Sequence, residues 1–485
     1  MNFNSLEYVL FLPITVVLYF VLPKKIKNPM LLLASYCFYM CWEPLYALLM
    51  LFSTAATYLC SILIDKKAFG KRKLWLILCL LTNLSILFFF KYYNFTANSI
   101  SSLFGLFGSS AAVPTLNILL PVGISFYTFQ ALGYTMDVYR GDVPCEKNFI
   151  DYALFVSFFP QLVAGPIERT GNIVPQLKKA HKFSFANLRD GSTLILWGLM
   201  KKMVIADNLA VIVNNGYNNP AAYTGAQLGF ATFCFAFQIY CDFSAYSDIA
   251  RGSAKWLGIN LCRNFNCPYI ADSIKDFWRR WHISLSSWFK DYLYFPLGGS
   301  RVKKSRQIFN VMTVFFVSGI WHGAAFTYII WGLLHGIYQA VGILLTPLRE
   351  KFIYRFIPKN NPLVKASRIF ITFCLVCFAW ILFRANSLSD AVYIIEKIVS
   401  APFEGIFPLD FGAMGLSRSM LCAVFICIAA LFAVDVINTK KPLVKLLGQT
   451  VFLKYFVFFV LIICIFIFGY YGNGFDPQSF VYFQF

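Results

Sequence analysis

Three of the four histidines in this 485-residue chain, His282, His322 and His335, lie in its apolar second half, and His181 stands in a basic loop, where it reads as solvated. An ionisable side chain in a greasy setting is expensive, so its first reading is functional. The competing reading is a ring that bonds a carbonyl of a neighbouring helix and does nothing further. His322 sits in SGIWHGAAF (318–326), flanked by Gly319, Gly323 and Ala324, small residues that admit close backbone approach or a break in the helix. It lies about 16 residues from the basic KKSR (303–306), roughly 24 Å along a helix, well inside a bilayer. A neutral imidazole there suits general-base work, because its pKa lies near working pH.

The second constellation is FWRRWHISLSSWF (277–289). As one helix, it would put Trp278, His282, Ser286 and Phe289 on one face, with Phe277, Trp281, Leu285 and Trp288 on the neighbouring stripe. Asp276 precedes Arg280 by four residues, the favourable order for an intrahelical ion pair. One reading is an anchor at the membrane interface, which Trp and Arg suit. The other is a cationic rim, formed by Arg279, Arg280, Trp278 and Trp281, that receives a phosphate-bearing anion. YFPLGGSR (294–301) follows with a flexible Gly pair and another arginine. No metal site is expected: Cys374 and Cys377 form a CxxC, but inside an apolar stretch and without a second pair. The histidines and acids have no ligand spacing.

The elements that must hold these residues follow from composition. Hydrophobic residues make up 59% and charged residues 13%, against about 25% charged in a soluble domain, and mean hydropathy is +0.65. The apolar runs are long and continuous, which excludes a β-barrel and indicates an all-α polytopic membrane protein of about ten to twelve spans. The net charge of +20 resides mostly in short loops between runs, a topology signal rather than a nucleic-acid footprint. The fourteen cysteines lie mostly in or beside apolar runs and read as small hydrophobes.

The first run, Tyr8 to Leu22, lacks a basic flank and a cleavage site and reads as an anchor, not a signal peptide. Met30 to Ile64 divides at WEP (42–44). Leu74 to Phe90 crosses outward to a Ser/Gly-rich stretch, 98–115, that has no lysine or arginine and suits the outer face. From 116 to 307, PVGISFYTFQALGYTMDVYRG (121–141), FFPQLVAGPI (158–167) and IYCDFSAYSDIARG (239–252) mix apolar and polar residues. Such backbone belongs in re-entrant or interfacial helices around a polar interior. The pattern turns regular again over 308–346, interrupted near Gly323, then over Ile369 to Leu382, Met420 to Val436 and Val451 to Tyr470. Loop charges alternate and place the C-terminus on the extracytoplasmic side of the membrane. The chain ends in FVYFQF (480–485), four aromatics with no charged side chain. By itself this reads as an interfacial aromatic anchor. Neither a repeat nor a soluble domain is evident, so 1–485 reads as a single domain.

Taken together, FWRRWHISLSSWF, YFPLGGSR and SGIWHGAAF resemble the membrane-bound O-acyltransferase family in its bacterial alginate O-acetyltransferase branch. PVGISFYTFQALGYTMDVYRG, FFPQLVAGPI and YCDFSAYSDIARG are similar to further blocks of that branch, so the resemblance runs from about 117 to 340. It implies helices around a tunnel and an acyl donor used from the cytoplasmic side, acetyl-CoA, as co-substrate with no bound cofactor. It also implies delivery of the acyl group to an acceptor on the other side. His322 matches the family's membrane-embedded catalytic histidine and His282 the second histidine, which would face the tunnel. The branch often ends in an aromatic motif like FVYFQF. On that footing, Phe480, Phe483 and Phe485 would plug the outer mouth of the tunnel. Tyr482 would accept the acyl group as a relay.

The implied partners are an extracytoplasmic serine-esterase-type (SGNH-like) acetyltransferase, the exopolysaccharide synthesis and export machinery, and membrane lipid; nucleic acid is not among them. The acceptor polymer stays open between alginate, cellulose, peptidoglycan and others. D-alanyl transfer to teichoic acids is the sister alternative. A transporter or flippase of envelope precursors is the alternative from another class, although no repeat symmetry supports it.

Overall fold

The structure is a computed structural model that describes the chain except residues 68–69, 109–110, 353–354, 357, 359–360, 403–411, 413, 441–450, 473–479 and 482–485. The described residues form helices and turns. In order these are α1 (Leu6–Val21), α2 (Lys24–Met40), α3 (Pro44–Asp65), α4 (Arg72–Leu87), α5 (Tyr93–Leu106), α6 (Ile124–Arg140), α7 (Phe149–Ser157), α8 (Thr170–Lys178), α9 (Phe185–Met200) and α10 (Asp207–Asn218). Then come α11 (Gly225–Trp256), α12 (Ile274–Arg280), α13 (Ile283–Phe289), α14 (Lys304–His322), α15 (Phe326–Phe352), α16 (Pro362–Arg384), α17 (Leu388–Ser400), α18 (Arg418–Lys440) and α19 (Val451–Phe468). Among the described residues, six helical stretches are long and apolar enough to cross a membrane: Pro44–Asp65, Arg72–Leu106, Gly225–Trp256, Phe326–Phe352, Pro362–Arg384 and Arg418–Ile437. Leu6–Val21 and Tyr455–Phe468 are shorter apolar helices. The protein is therefore a multi-pass, all-α membrane protein.

Sequence punctuation explains most helix boundaries. WEP separates α2 from α3, with Pro44 at the first turn of α3, where its missing N–H is harmless. Gly323, in extended backbone, ends α14 directly after His322. Two expectations fail. The crossing expected to end at Phe90 continues as helix to Leu106: a π-turn, Phe88–Tyr92, carries α4 into α5. IYCDFSAYSDIARG, expected in a re-entrant or interfacial helix, lies inside the 32-residue α11, which is long and apolar enough to span a membrane. Its polar residues do not break the helix because they find partners on neighbouring segments, as with Lys202 Nζ on Asp242 Oδ1.

The chain divides into two compact units, Met1–Ile195 with Ser247–Cys262, and Leu196–Tyr246 with Arg263–Phe485. In the first unit α3 carries a polar spine. Ser53 donates to Asn83 of α4 at 2.6 Å, Tyr152 of α7 donates to Thr57 at 2.7 Å, and Ser61 meets Thr135 of α6 at 3.2 Å. Interhelical hydrogen bonds of this kind contribute roughly 0.6–2 kcal/mol each where lipid offers no alternative partner. FFPQLVAGPI is non-helical over much of its length and buried, as expected of irregular backbone enclosed by protein. Gln130 and Gln161 both donate to the Phe155 carbonyl, and Gln130 accepts from the Glu168 N–H.

In the second unit the hairpin α14–α15 is packed backbone to backbone. A Cβ on Gly319 would stand 2.4 Å from the Tyr328 carbonyl oxygen, and one on Gly332 2.3 Å from that of Phe315. Gly332 and Gly336 are spaced as a GxxxG pair, which gives a smooth face for close packing. This contact sets His322 at the end of one helix and His335 on the other. Gly319→Val and Gly332→Val are each expected to lower stability by about 1–3 kcal/mol or more, since backbone, not a flexible side chain, blocks the new atoms. Gly342, which faces open space, is expected to accept alanine. Melting of the purified protein in detergent checks this: if the Gly319→Val protein melts with the wild type, the close contact is not needed.

Candidate functional site

His282 is not inside one long helix, as the 277–289 reading had it. α12 ends at Arg280, Trp281 is extended, and His282 itself is left-handed with φ 43° and ψ 55° before α13 begins. The shared face of Trp278, His282, Ser286 and Phe289 therefore does not exist. The break is held from outside by the segment 263–266: Ile283 donates its N–H to the Asn264 carbonyl and Asn266 donates to the Arg280 carbonyl, both at 2.9 Å. A non-glycine residue at positive φ costs roughly 1–3 kcal/mol and persists only where its surroundings enforce it.

The enforcing residue is Asn264. Its Oδ1 accepts from the Ser284 N–H at 3.1 Å and the Ser284 hydroxyl at 3.0 Å, and lies 3.3 Å from His282 Nδ1. An oxygen that already accepts two bonds leaves His282 Nδ1 as the donor, so Nε2 holds the lone pair and is the basic nitrogen. The ring is fully buried, edge-on to Phe243 at 4.6 Å and 6.0 Å from Trp321.

His322 closes α14, buried among Trp321 at 5.0 Å, Trp331 of α15 at 4.9 Å and Phe383 of α16 at 5.4 Å, each edge-on to the imidazole. Trp321 thus contacts both histidines. His335 has the opposite tautomer from His282. Trp278 Nε1–H can only donate, and it does so to His335 Nδ1 at 3.2 Å, which puts the His335 proton on Nε2. Among the described residues that nitrogen is buried without a hydrogen-bond partner.

Of the other expected residues, Trp278 and Trp281 are buried in a ring cluster with Phe277, Trp331 and Trp380. Arg279 and Arg280 both reach Asp276, at 2.9 and 2.7 Å, so the anticipated ion pair forms and is shared by two arginines. Arg279 is 72% exposed and Arg280 24%. His181, read as solvated, is half-buried and meets the Gln176 carbonyl at 2.8 Å. Tyr482, Phe483 and Phe485 lie outside the described residues. Phe480 is described and buried.

Sequence reasoning missed a cluster of buried charge. Lys201 and Lys202 stand in a π-turn, Lys201–Ala206, between α9 and α10, each no more than 2% exposed. Lys202 Nζ is 2.7 Å from Asp242 Oδ1 and 2.9 Å from Asp207 Oδ1, and Lys201 donates to the Ser244 hydroxyl at 2.8 Å. Lys202 thus stands between two buried carboxylates. The signal was present: KKMVIAD places three ionisable residues within an apolar run, the pattern that usually marks function.

The profile of the membrane-bound O-acyltransferase family matches residues 146–384. The chain is similar to the probable alginate O-acetylase of Pseudomonas aeruginosa, with 40% identity over 81% of this chain and 73% of that one. It is similar to the peptidoglycan O-acetyltransferase of Helicobacter pylori, with 37% identity over 80% and 78%. A teichoic acid D-alanyltransferase of Bacillus subtilis is 33% identical over 56% of this chain and 71% of its own. With its transmembrane helices and buried histidines, the chain belongs to the membrane-bound O-acyltransferase family and is an O-acyltransferase.

Asn264→Leu removes the acceptor that fixes His282 Nδ1 and Ser284. It is expected to lower acyl transfer at least about tenfold at equal inserted protein, short of the ~10²–10⁴-fold of losing a general base outright. Full activity in that variant would show that the His282 tautomer is irrelevant to transfer.

Proposed function

We propose that this enzyme carries an acetyl group from cytoplasmic acetyl-CoA across the bacterial cytoplasmic membrane for O-acetylation of an exported polysaccharide. The observation that carries the reading is the pair of buried imidazoles bridged by Trp321, within a chain related over most of its length to polysaccharide O-acetylating proteins. His322 takes the proton of the incoming hydroxyl as that oxygen attacks the thioester carbonyl. The carbon–sulfur bond breaks, and the thiolate leaves to be protonated as free thiol. His282, with Nε2 as its basic atom, positions or polarises the donor or the acceptor. Arg279, the more exposed of the two arginines, meets the donor's phosphates.

The incoming hydroxyl is that of Tyr482. An aryl ester is more reactive than an alkyl ester because phenoxide, with a pKa of about 10, leaves more easily. The group then passes to an extracytoplasmic serine-esterase-type partner and on to the sugar, with the C-terminus on the outer face. The likeness to a teichoic acid D-alanyltransferase favours a second reading, D-alanyl transfer from a carrier protein, over a shorter part of the chain.

Inside-out vesicles separate the two donors. Labelled acetyl-CoA is expected to label the protein or a downstream acceptor, whereas labelling only by a D-alanyl carrier protein would reverse the acetyl assignment. In the same vesicles His322→Ala is expected to insert normally and lose at least about 10²-fold in transfer. Near wild-type transfer would take His322 out of the mechanism. Tyr482→Phe keeps the aromatic ring and removes the hydroxyl, so transfer to the partner is expected to stop; full acetylation in that protein would leave the tail an anchor.

A further inference from the structure

We propose that the buried Lys202–Asp207–Asp242 cluster is a seat for the segment Phe480–Val481, and that Asp242 and Lys202 are positioning residues for acyl transfer. The docking stands on the geometry alone; its effect on transfer rests on the relay reading of Tyr482.

The two carboxylate oxygens of Asp242 have separate tasks. Oδ1 faces Lys202 Nζ at 2.7 Å, and Oδ2 accepts the Val481 N–H, also at 2.7 Å. Phe480 lies under Lys202, whose Nζ is 4.3 Å from the ring centroid, and meets Tyr246 edge-on at 4.8 Å. Every member of this group is at most 4% exposed. A cation over a ring and a charge-assisted amide bond are both strengthened when water is excluded. The terminal segment therefore supplies one donor and one aromatic face to a cluster of charge that the core would otherwise carry less well.

The same neighbourhood holds the chain a second time upstream. Tyr470 donates its N–H to the Met203 carbonyl at 2.9 Å, and Asn208 Nδ2 bonds the Phe468 carbonyl at 3.0 Å and that of Val204 at 2.9 Å. Met203 lies in the π-turn that carries Lys202. Such a turn widens the helix and turns backbone groups outward, and it is commonly found at functional sites. The segment is thus fixed on both sides of 471–479. Buried ion pairs are weak devices for stability, and apolar replacements are often as stable. Fixing one residue of a terminal segment accounts for their presence here. In the sequence Tyr482 directly follows Val481, so the Val481 amide is the described anchor nearest to the residue that the relay reading invokes.

The test uses the full-length protein with two readouts. One is hydrogen exchange of the C-terminal peptide in detergent. The other is transfer from labelled acetyl-CoA in vesicles, per folded enzyme, with kcat and KM for the donor separated. Val481→Pro deletes the donated N–H and leaves the charged cluster intact. Phe480→Ala removes the ring. Asp242→Asn converts one oxygen to a donor, so the side chain can serve Lys202 or Val481 but not both. The expected result is at least tenfold faster exchange of the terminal peptide and at least a tenfold lower kcat with donor KM unchanged, the melting temperature of Val481→Pro staying near wild type. A terminal peptide as protected as wild type in both Val481→Pro and Asp242→Asn overturns the seat. A released peptide with unchanged kcat overturns the positioning role. Tyr482→Phe keeps the peptide protected if the seat is right, whether or not that variant transfers acyl groups, so a failure of the relay is seen apart from a failure of the seat.

Discussion

Inside a bilayer a polar group must find its partner within the protein, and this single constraint organises the molecule. Where helices meet, hydroxyls and amides pair across the contact, as along Ser53, Thr57 and Ser61 of α3. Where the backbone leaves helical geometry, glutamines and serines meet the freed groups: Ser35 accepts from the Phe159 N–H, and Gln130 and Gln161 converge on the Phe155 carbonyl. Where neither device is needed, glycines let two helices touch. The hairpin α14–α15 depends on that contact, and with it the places of His322 and His335.

The same constraint distinguishes the histidines chemically. Three imidazoles are buried, yet their surroundings assign their protons differently. Asn264 takes the Nδ1 proton of His282 and leaves Nε2 basic. Trp278 donates to Nδ1 of His335 and leaves that nitrogen unable to act as a base. His322 stands where α14 stops at Gly323, in a box of aromatic edges. A ring's chemistry here is set by one neighbouring atom, not by its depth.

The buried lysine–aspartate cluster fits the same logic. Lys202 would be intolerable alone, and with two carboxylates nearby the balance tips the other way. A backbone N–H and an aromatic face from the C-terminal segment then share the load. The result joins segments far apart in the chain: α11, the π-turn before α10, and residues 480–481.

Much was legible in the sequence because it depends on local chemistry. Long apolar runs specify spanning helices, and WEP and Gly323 mark breaks. The motifs around His282 and His322 pointed to an acyltransferase, and the related proteins agree. Helical periodicity misled at His282, because no local signal reveals that residues 263–266, up to 19 positions earlier, clip the chain and force a left-handed residue between two short helices. Polarity misled in α11, since Asp242 and Ser244 suit a short re-entrant or interfacial helix better than a long spanning one until Lys201 and Lys202 are placed beside them. Composition alone determined the class of protein, and the motifs its family. Tautomers, the shared carboxylate of Asp242 and the burial of Phe480 required the tertiary structure, because each depends on a partner that is distant in sequence and adjacent only after folding.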